Sequence, residues 1–167
     1  HHLKPIVVAA AWLGMFALSG CQHDRSASDA GRIGEAAQPA HRIADDRIEQ
    51  FYRLSDRLDS GGEPRGDAAF AALAEQGIRT IVSVDGARPD VESARRHGIR
   101  YIHLPIGYDG IAADQATRIV AAASTLDGPI FIHCQHGTHR GPAAAAIAAR
   151  ACDDWSAAHA EAWLTQV

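Results

Sequence analysis

The chain has 167 residues, with 16 Lys and Arg against 20 Asp and Glu and a formal net charge of −4. This weakly acidic balance argues against a protein that binds nucleic acid or an anionic membrane surface by charge. Three cysteines are too few for a disulfide framework, and the length that follows the N-terminal segments fits one domain and not two.

An apolar segment opens the chain. An uncharged run over residues 5–20 follows Lys4. Its last residues form, with the cysteine that follows, the sequence Leu18-Ser19-Gly20-Cys21. The run is short for a membrane-spanning helix, which needs ~20 residues. It resembles a bacterial lipoprotein signal peptide with its lipobox, and the resemblance implies cleavage before Cys21 and a lipid on the Cys21 thiol. We therefore expect residues 1–20 to be a signal peptide and the mature protein to be a membrane-anchored lipoprotein facing the periplasm or the exterior; an uncleaved anchor or a buried helix is the alternative.

A polar segment and the start of a domain follow. Residues 21–45 are rich in Ala, Ser, Gly, Asp and Arg without an apolar period, which is typical of a flexible tether. The domain is expected over residues 46–167. Its first element is an edge strand or hairpin, closed by a Gly- and Pro-containing turn at residues 60–64, in which polar positions alternate with Tyr52, Leu54 and Leu58.

Helices and strands then alternate along the chain. The pattern predicts helices from Asp67, as N-cap, to Gly77, from Pro89 to Gly98 and from Asp114 to Leu126. Strands are predicted at 78–84, 101–105 and 129–133, and a last helix at 155–167 with Trp163 and Leu164 facing the core. Such alternation implies right-handed crossovers and an α/β fold with a mostly parallel central sheet flanked by helices. Because the last helix has no cap, we expect further residues after Val167.

A cysteine and an arginine separated by five residues lie between the strand 129–133 and a helix that opens with Gly141-Pro142. The segment reads His133-Cys134-Gln135-His136-Gly137-Thr138-His139-Arg140. A loop at the start of a helix directs its N–H groups towards the positive end of the helix dipole, which favours a bound anion and a thiolate. The planar fork of Arg140 suits two oxygens of a phosphate. The loop, at the carboxyl end of a strand, is therefore predicted to transfer a phosphoryl group to sulfur.

This segment resembles the signature loop of the cysteine-dependent protein tyrosine and dual-specificity phosphatases, above all their compact bacterial members, in which His-Cys-x5-Arg is followed by Ser or Thr. The resemblance implies that Cys134 is the nucleophile and that Arg140 binds phosphate. The remaining loop residues implied to surround the substrate are His133, Gln135, His136, Gly137, Thr138 and His139. It further implies hydrolysis of phosphate monoesters, on phosphotyrosine or phosphoserine/threonine proteins or on a small phosphorylated molecule, through a phosphocysteine and without a cofactor. We expect a monomer.

Two features of this resemblance concern the catalytic cycle. Gly141 stands where the family has a hydroxyl that stabilises the departing thiolate, and this bears on turnover more than on phosphate binding. The general acid of the family lies on the loop after the strand at 101–105, where Asp109 and Asp114 are the candidates. Asp109 is favoured, because Asp114 suits a helix N-cap whereas Asp109 serves only an Asp-Gly turn.

Other interpretations of the cysteine remain open. A rhodanese-like sulfurtransferase also places a cysteine between a strand and a helix, and a catalytically silent phosphate-binding module would explain Gly141. A resolving role for Cys152 is less favoured than that of a small apolar residue at a helix end. A zinc site is not expected, because side chains around a tight anion loop diverge and no further Cys or acidic pair completes a tetrahedral set. The histidines concerned are His103, His133, His136 and His139.

Overall fold

The computed structural model describes residues 38–167, so the predictions made for the signal peptide, for Cys21 and for the tether up to residue 37 lie outside the described residues. The described part contains one six-stranded sheet with the strand order β1-β2-β3-β6-β4-β5. The strands are β1 His41–Arg42, β2 Tyr52–Ser55, β3 Leu58–Gly61, β4 Thr80–Ser83, β5 Arg100–His103 and β6 Ile130–His133. The helices are α1 Asp67–Glu75, α2 Val91–Arg96, α3 Ala113–Thr125, α4 Arg140–Cys152 and α5 Ala157–Gln166.

Four neighbouring strands of the sheet, β3, β6, β4 and β5, are parallel, and the edge pairs β1–β2 and β2–β3 are antiparallel. Helices cover both faces. Because side chains alternate along a strand, Ile130 and Ile132 of β6 pack into the core formed with α3, α4 and α5, whereas Phe131 packs into the core formed with α1 and α2. The predicted α/β class with a mostly parallel sheet is confirmed.

The first strands differ from the prediction in detail. The sheet begins at His41, inside the range 21–45 predicted as a tether, and Ile43 N donates to Phe51 O at 2.8 Å. Both residues of β1 are exposed, and a strand of two exposed residues shows no alternation of apolar and polar positions. The hydrophobic pattern therefore could not predict this strand. The hairpin of β2 and β3 is present, but Gly61 belongs to β3 and not to a turn. A Cβ at Gly61 would lie 3.0 Å from the Phe131 ring, which explains a glycine inside the sheet.

Several helix ends also differ. Asp67 is the first residue of α1 and not its cap. Asp114 does not cap α3 either, because Ala112 precedes the helix and its N–H donates to Gln115 Oε1 at 3.0 Å. On α5, Trp163 is buried as predicted, but Leu164 is 46% exposed. Within residues 38–167, no helix combines the length and the apolar character that crossing a membrane requires.

Candidate active site

The Cys134 loop connects β6 to α4 at one edge of the sheet. In the parallel pairing, Gly61 of β3 and Ser83 of β4 are both level with His133 of β6. Residues that directly follow these three strands therefore meet around the loop. Cys134 is only 4% exposed and lies at the start of the 13-residue helix α4, where unpaired backbone N–H groups and the helix dipole favour negative charge.

Glycines brace this loop against the end of β3. Gly137 has a φ of 72°, and a Cβ there would lie 2.5 Å from backbone atoms of both Gly61 and Gly62. Only glycine combines that backbone angle with so close an approach. Next to this contact, Glu63 N donates to Gln135 O at 3.1 Å. The shape of the loop thus depends on glycines from two segments that are distant in sequence.

Asp85 holds the arginine of the loop. Arg140 Nη2 donates to Asp85 Oδ2 at 2.7 Å, and the two side chains are 11% and 10% exposed. Burial alone would raise the pKa of the Asp85 carboxyl, but the N–H groups that donate to it and the charge of Arg140 hold its pKa below the ordinary value. The same Oδ2 accepts the Gln135 N–H at 3.1 Å, so this amide, predicted to face the substrate, faces Asp85 in the structure.

Sequence reasoning missed Asp85 because Asp85-Gly86 fits an ordinary turn. A signal was present, since Asp85 follows β4 at the edge where Cys134 follows β6. Strand order decides whether two such residues are neighbours, and the prediction did not include strand order. Asp85 is a site residue that the tertiary structure adds.

Arg140 makes further contacts with the loop after β5. Its Nη2 donates to Tyr108 Oη at 2.9 Å, its Nη1 donates to Ile106 O at 3.4 Å, and its Cζ lies 4.2 Å from the centre of the Tyr108 ring. Arg140 Nε is buried and has no hydrogen-bond partner among residues 38–167. A buried charged donor without an acceptor is unfavourable, and an anion in the loop would supply the acceptor.

His133 orients the loop as a neutral side chain. Burial lowers the pKa of His133 to about 4, so the imidazole is uncharged at neutral pH. Its Nδ1 lies 3.2 Å from Cys134 O, and its Nε2 lies 2.6 Å from Tyr101 Oη. Because a carbonyl only accepts, Nδ1 carries the proton and Nε2 accepts from the Tyr101 hydroxyl. His133 therefore positions the Cys134 carbonyl but contributes no positive charge to the thiol.

The remaining loop side chains form an exposed rim. His136 Nδ1 lies 3.4 Å from Glu49 Oε2, and Thr138 Oγ1 lies 3.1 Å from His139 Nδ1. His103, on β5, donates through Nε2 to the Asp85 carbonyl at 2.7 Å. No group of three or more His, Cys, Asp or Glu side chains in the described part of the chain is placed to hold a metal ion.

The two acid candidates lie in different surroundings. Asp109 is exposed on the loop after β5, directly after Tyr108, which contacts Arg140. Asp114 lies on the surface of α3 and pairs with Arg118 at 3.0 Å. The structure thus brings the neighbour of Asp109, and no neighbour of Asp114, into contact with the loop arginine.

Gly141 and Cys152 lie at opposite ends of α4. A Cβ at Gly141 would lie 3.0 Å from Cys134 N and 3.4 Å from Cys134 Sγ, so the helix packs directly on Cys134. At about 1.5 Å per residue, the 13 residues of α4 place Cys152 roughly 18 Å from Arg140. Cys152, which lies 3.5 Å from Ser124 Oγ, is therefore too far away to act as a resolving thiol for Cys134.

The fold, a mostly parallel sheet with helices on both faces, is similar to that of solved phosphatase structures. A variant of TpbA from P. aeruginosa in complex with pTyr matches with a TM-score of 0.62 and 24% identity, covering 80% of each chain. The catalytic core of the PP-IP phosphatase SIW14 from S. cerevisiae, in complex with citrate, matches with a TM-score of 0.61 and 18% identity, covering 75% of this chain and 78% of that one. At these identities the likeness shows the fold.

The sequence is also similar to those of curated proteins, one of which is a phosphatase. The chain is 27% identical over 147 residues to the dual specificity protein phosphatase TpbA of Pseudomonas aeruginosa, covering 83% of this chain and 63% of TpbA. It is 31% identical over 94 residues to the beta-lactamase hydrolase-like protein of Xylella fastidiosa, covering 51% of this chain and 22% of that protein. The chain therefore spans less than two thirds of the length of either relative. No family model matches it.

Proposed function

We propose that this chain is a cysteine-dependent phosphatase of the dual-specificity type, which hydrolyses phosphate monoesters through a phosphocysteine on Cys134. The observation that carries the proposal is the buried Nε of Arg140, which has no partner among the described residues at the edge of a loop that begins with a cysteine. A phosphate there would accept from Nε and from the amides at the start of α4. Cys134 would then lie beside the phosphorus.

The reaction takes two steps. The Cys134 thiolate attacks phosphorus, the bond to the ester oxygen breaks, and Asp109 gives its proton to the departing oxygen. Water then attacks the phosphocysteine, the Asp109 carboxylate takes a proton from that water, and the thiolate leaves as inorganic phosphate forms. Catalysis comes from positioning and from fixed positive charge, with Asp85 keeping Arg140 in place.

Phosphotyrosine is the first substrate class to test. TpbA has been solved with pTyr, and this chain is similar to TpbA in sequence and in fold. SIW14, described as a PP-IP phosphatase, makes a small phosphorylated molecule the second class. Hydrolysis of an aryl phosphate, of phosphopeptides and of phosphorylated small molecules by the full chain tests the proposal directly.

A silent phosphate-binding module is the second candidate, and Gly141 is the observation that favours it. A Cβ 3.0 Å from Cys134 N crowds the loop. Gly141→Ala is therefore expected to destabilise the fold by about 1–3 kcal/mol, as overpacking does, and thermal unfolding measures this loss. Gly141→Ser adds the hydroxyl to the same crowding, so it should hydrolyse the phosphocysteine faster than Gly141→Ala does. Rapid mixing, which resolves a product burst from the slow phase, measures both steps.

Each outcome of that comparison is decisive. A wild-type burst followed by slow turnover would show that thiolate departure limits the cycle. Phosphate binding with no product at all would identify the silent module. Equal slow phases in the Ala and Ser variants would show that a hydroxyl at this position gives this loop no help.

We further propose that the protein is anchored in the cell envelope through a lipid on Cys21, on the strength of the Leu18-Ser19-Gly20-Cys21 pattern. The full-length protein, expressed in a bacterium, is expected to partition into detergent and to incorporate a labelled fatty acid. Cys21→Ala should abolish the labelling or block processing, whereas Cys152→Ala, as the matched control, should not. An unmodified Cys21 in the peptides of the mature protein would reject this proposal.

A further inference from the structure

The loop between β5 and α3 is held at both ends, at its beginning by the sheet and near its end by Ile111, which packs against the core. Leu104 N donates to Ser83 O at 2.8 Å, and Ile106 N donates to Val84 O at 3.2 Å, so the first residues continue alongside β4. Gly110, with a φ of 113°, marks the turn towards α3. Between these points, Tyr108 touches the loop arginine.

Tyr108 contacts Arg140 in two ways although its side chain is 80% exposed. Its hydroxyl oxygen accepts from Arg140 Nη2 at 2.9 Å, and its ring lies under the guanidinium group with 4.2 Å between Cζ and the ring centre. An exposed cation–π contact is weak. Packing within the core does not hold Tyr108, so its position depends on Arg140.

Asp109 depends on the same contact. Within residues 38–167, Asp109 has neither a hydrogen bond nor an ion pair of its own. The nearest point at which its segment is tied to the Cys134 loop is the adjacent Tyr108. Ile106 is buried and Ile111 packs against the core, so release of Tyr108 from Arg140 would free only the short segment between them, which carries the acid.

We propose that Tyr108 is a positioning residue, which rests its ring on Arg140 and so holds Asp109 over the phosphate bound at the Cys134 loop. This inference depends on the proposed phosphatase function. It assigns the ring and the hydroxyl of Tyr108 opposite effects, because the ring supports the acid whereas the hydroxyl occupies a donor that phosphate needs.

The geometry of Arg140 explains the role of the hydroxyl. Nη2 has two hydrogens, and Asp85 Oδ2 and Tyr108 Oη accept from it in the structure. A phosphate that binds Nε can also bind Nη2, in the two-point manner typical of arginine, only when Tyr108 Oη gives up its hydrogen bond. The ring can remain on the guanidinium group during this exchange.

Two variants separate these roles. Tyr108→Phe keeps the ring and removes the hydroxyl, so vanadate and inorganic phosphate should bind about two- to tenfold more tightly, as expected for one lost competing hydrogen bond. Because the ring remains, kcat of Tyr108→Phe for an alkyl phosphate should stay above that of Tyr108→Ala. Tyr108→Ala removes the ring, and kcat for an alkyl phosphate should fall by about two- to fivefold, as expected for the loss of one weak exposed contact, with a smaller fall for an activated aryl phosphate.

A double-mutant comparison tests whether Tyr108 acts through Asp109. In full-length protein that already carries Asp109→Asn, Tyr108→Ala should cause no further loss of alkyl phosphate hydrolysis. Leu164→Ala, which removes another exposed apolar side chain from the solvent-facing side of helix α5, is the control and should change neither kinetics nor vanadate binding.

Several results would overturn the inference. Equal losses on alkyl and aryl phosphates in Tyr108→Ala, or losses that add to those of Asp109→Asn, would make Tyr108 a wall for the substrate and not a support for the acid. Unchanged or weaker vanadate binding in Tyr108→Phe would reject competition at Nη2. A wild-type protein that hydrolyses no phosphate ester would reject the proposed function, and the vanadate titration of Tyr108→Phe would still decide the competition.

Discussion

Replacement of Cys134 by serine is expected to abolish the hydrolysis of an aryl phosphate, with a loss of roughly 10⁴-fold or more. The serine hydroxyl stays protonated near neutral pH and is a far weaker nucleophile than a thiolate at the start of α4. The other phosphate contacts remain, because they come from backbone amides and from Arg140. The variant should therefore still bind vanadate or phosphate, which isothermal titration calorimetry measures.

The chain provides a matched control for this experiment in its second described cysteine. Cys152 is half-buried at the far end of α4, so Cys152→Ser should retain wild-type hydrolysis. A Cys134→Ser protein as active as the wild type would reject the nucleophile. Activity that a chelator removes would show that a metal ion participates, and accumulation of a persulfide from thiosulfate would point to the sulfurtransferase.

The architecture of this protein was predictable where local signals agree with the tertiary structure. Apolar runs correspond to β4 and β6, and Gly77 and Gly98 mark the ends of two helices. These signals together determine the alternation of strands and helices, and short crossovers then favour parallel neighbouring strands. Polar caps were less reliable. At Asp67 and Asp114 the sequence correctly indicated that a helix starts nearby. The two helices begin one and two residues earlier, however, than they would if these residues were their N-caps.

Cys134 and Arg140 could be selected as candidate site residues from the sequence because both lie in one short loop with its own sequence pattern. Asp85 and Tyr108 could not, because each reaches Arg140 from a different connection across the edge of the sheet. Their residue types are ordinary for a turn and for an exposed loop. Only the strand order, which places β4 between β6 and β5, brings these connections together. Sequence patterns thus identify groups that react, whereas the groups that orient them depend on tertiary neighbours.

Asp109→Asn is expected to slow the hydrolysis of alkyl phosphates by roughly 100-fold or more, since general acid catalysis contributes about 10²–10⁴-fold. An alkoxide is a poor leaving group and needs the proton. An activated aryl phosphate departs as a stable phenoxide, so its hydrolysis should fall much less. Steady-state kinetics over a series of leaving groups measures the difference as a steeper dependence of kcat/KM on leaving-group acidity.

Asp114→Asn is the matched control, because it makes the same chemical change five residues further along. In the structure it removes only a surface ion pair with Arg118, which contributes about 0.5 kcal/mol or less. Hydrolysis of both ester types should stay at the wild-type level. If Asp114→Asn instead shows the leaving-group dependence and Asp109→Asn does not, the acid lies on α3.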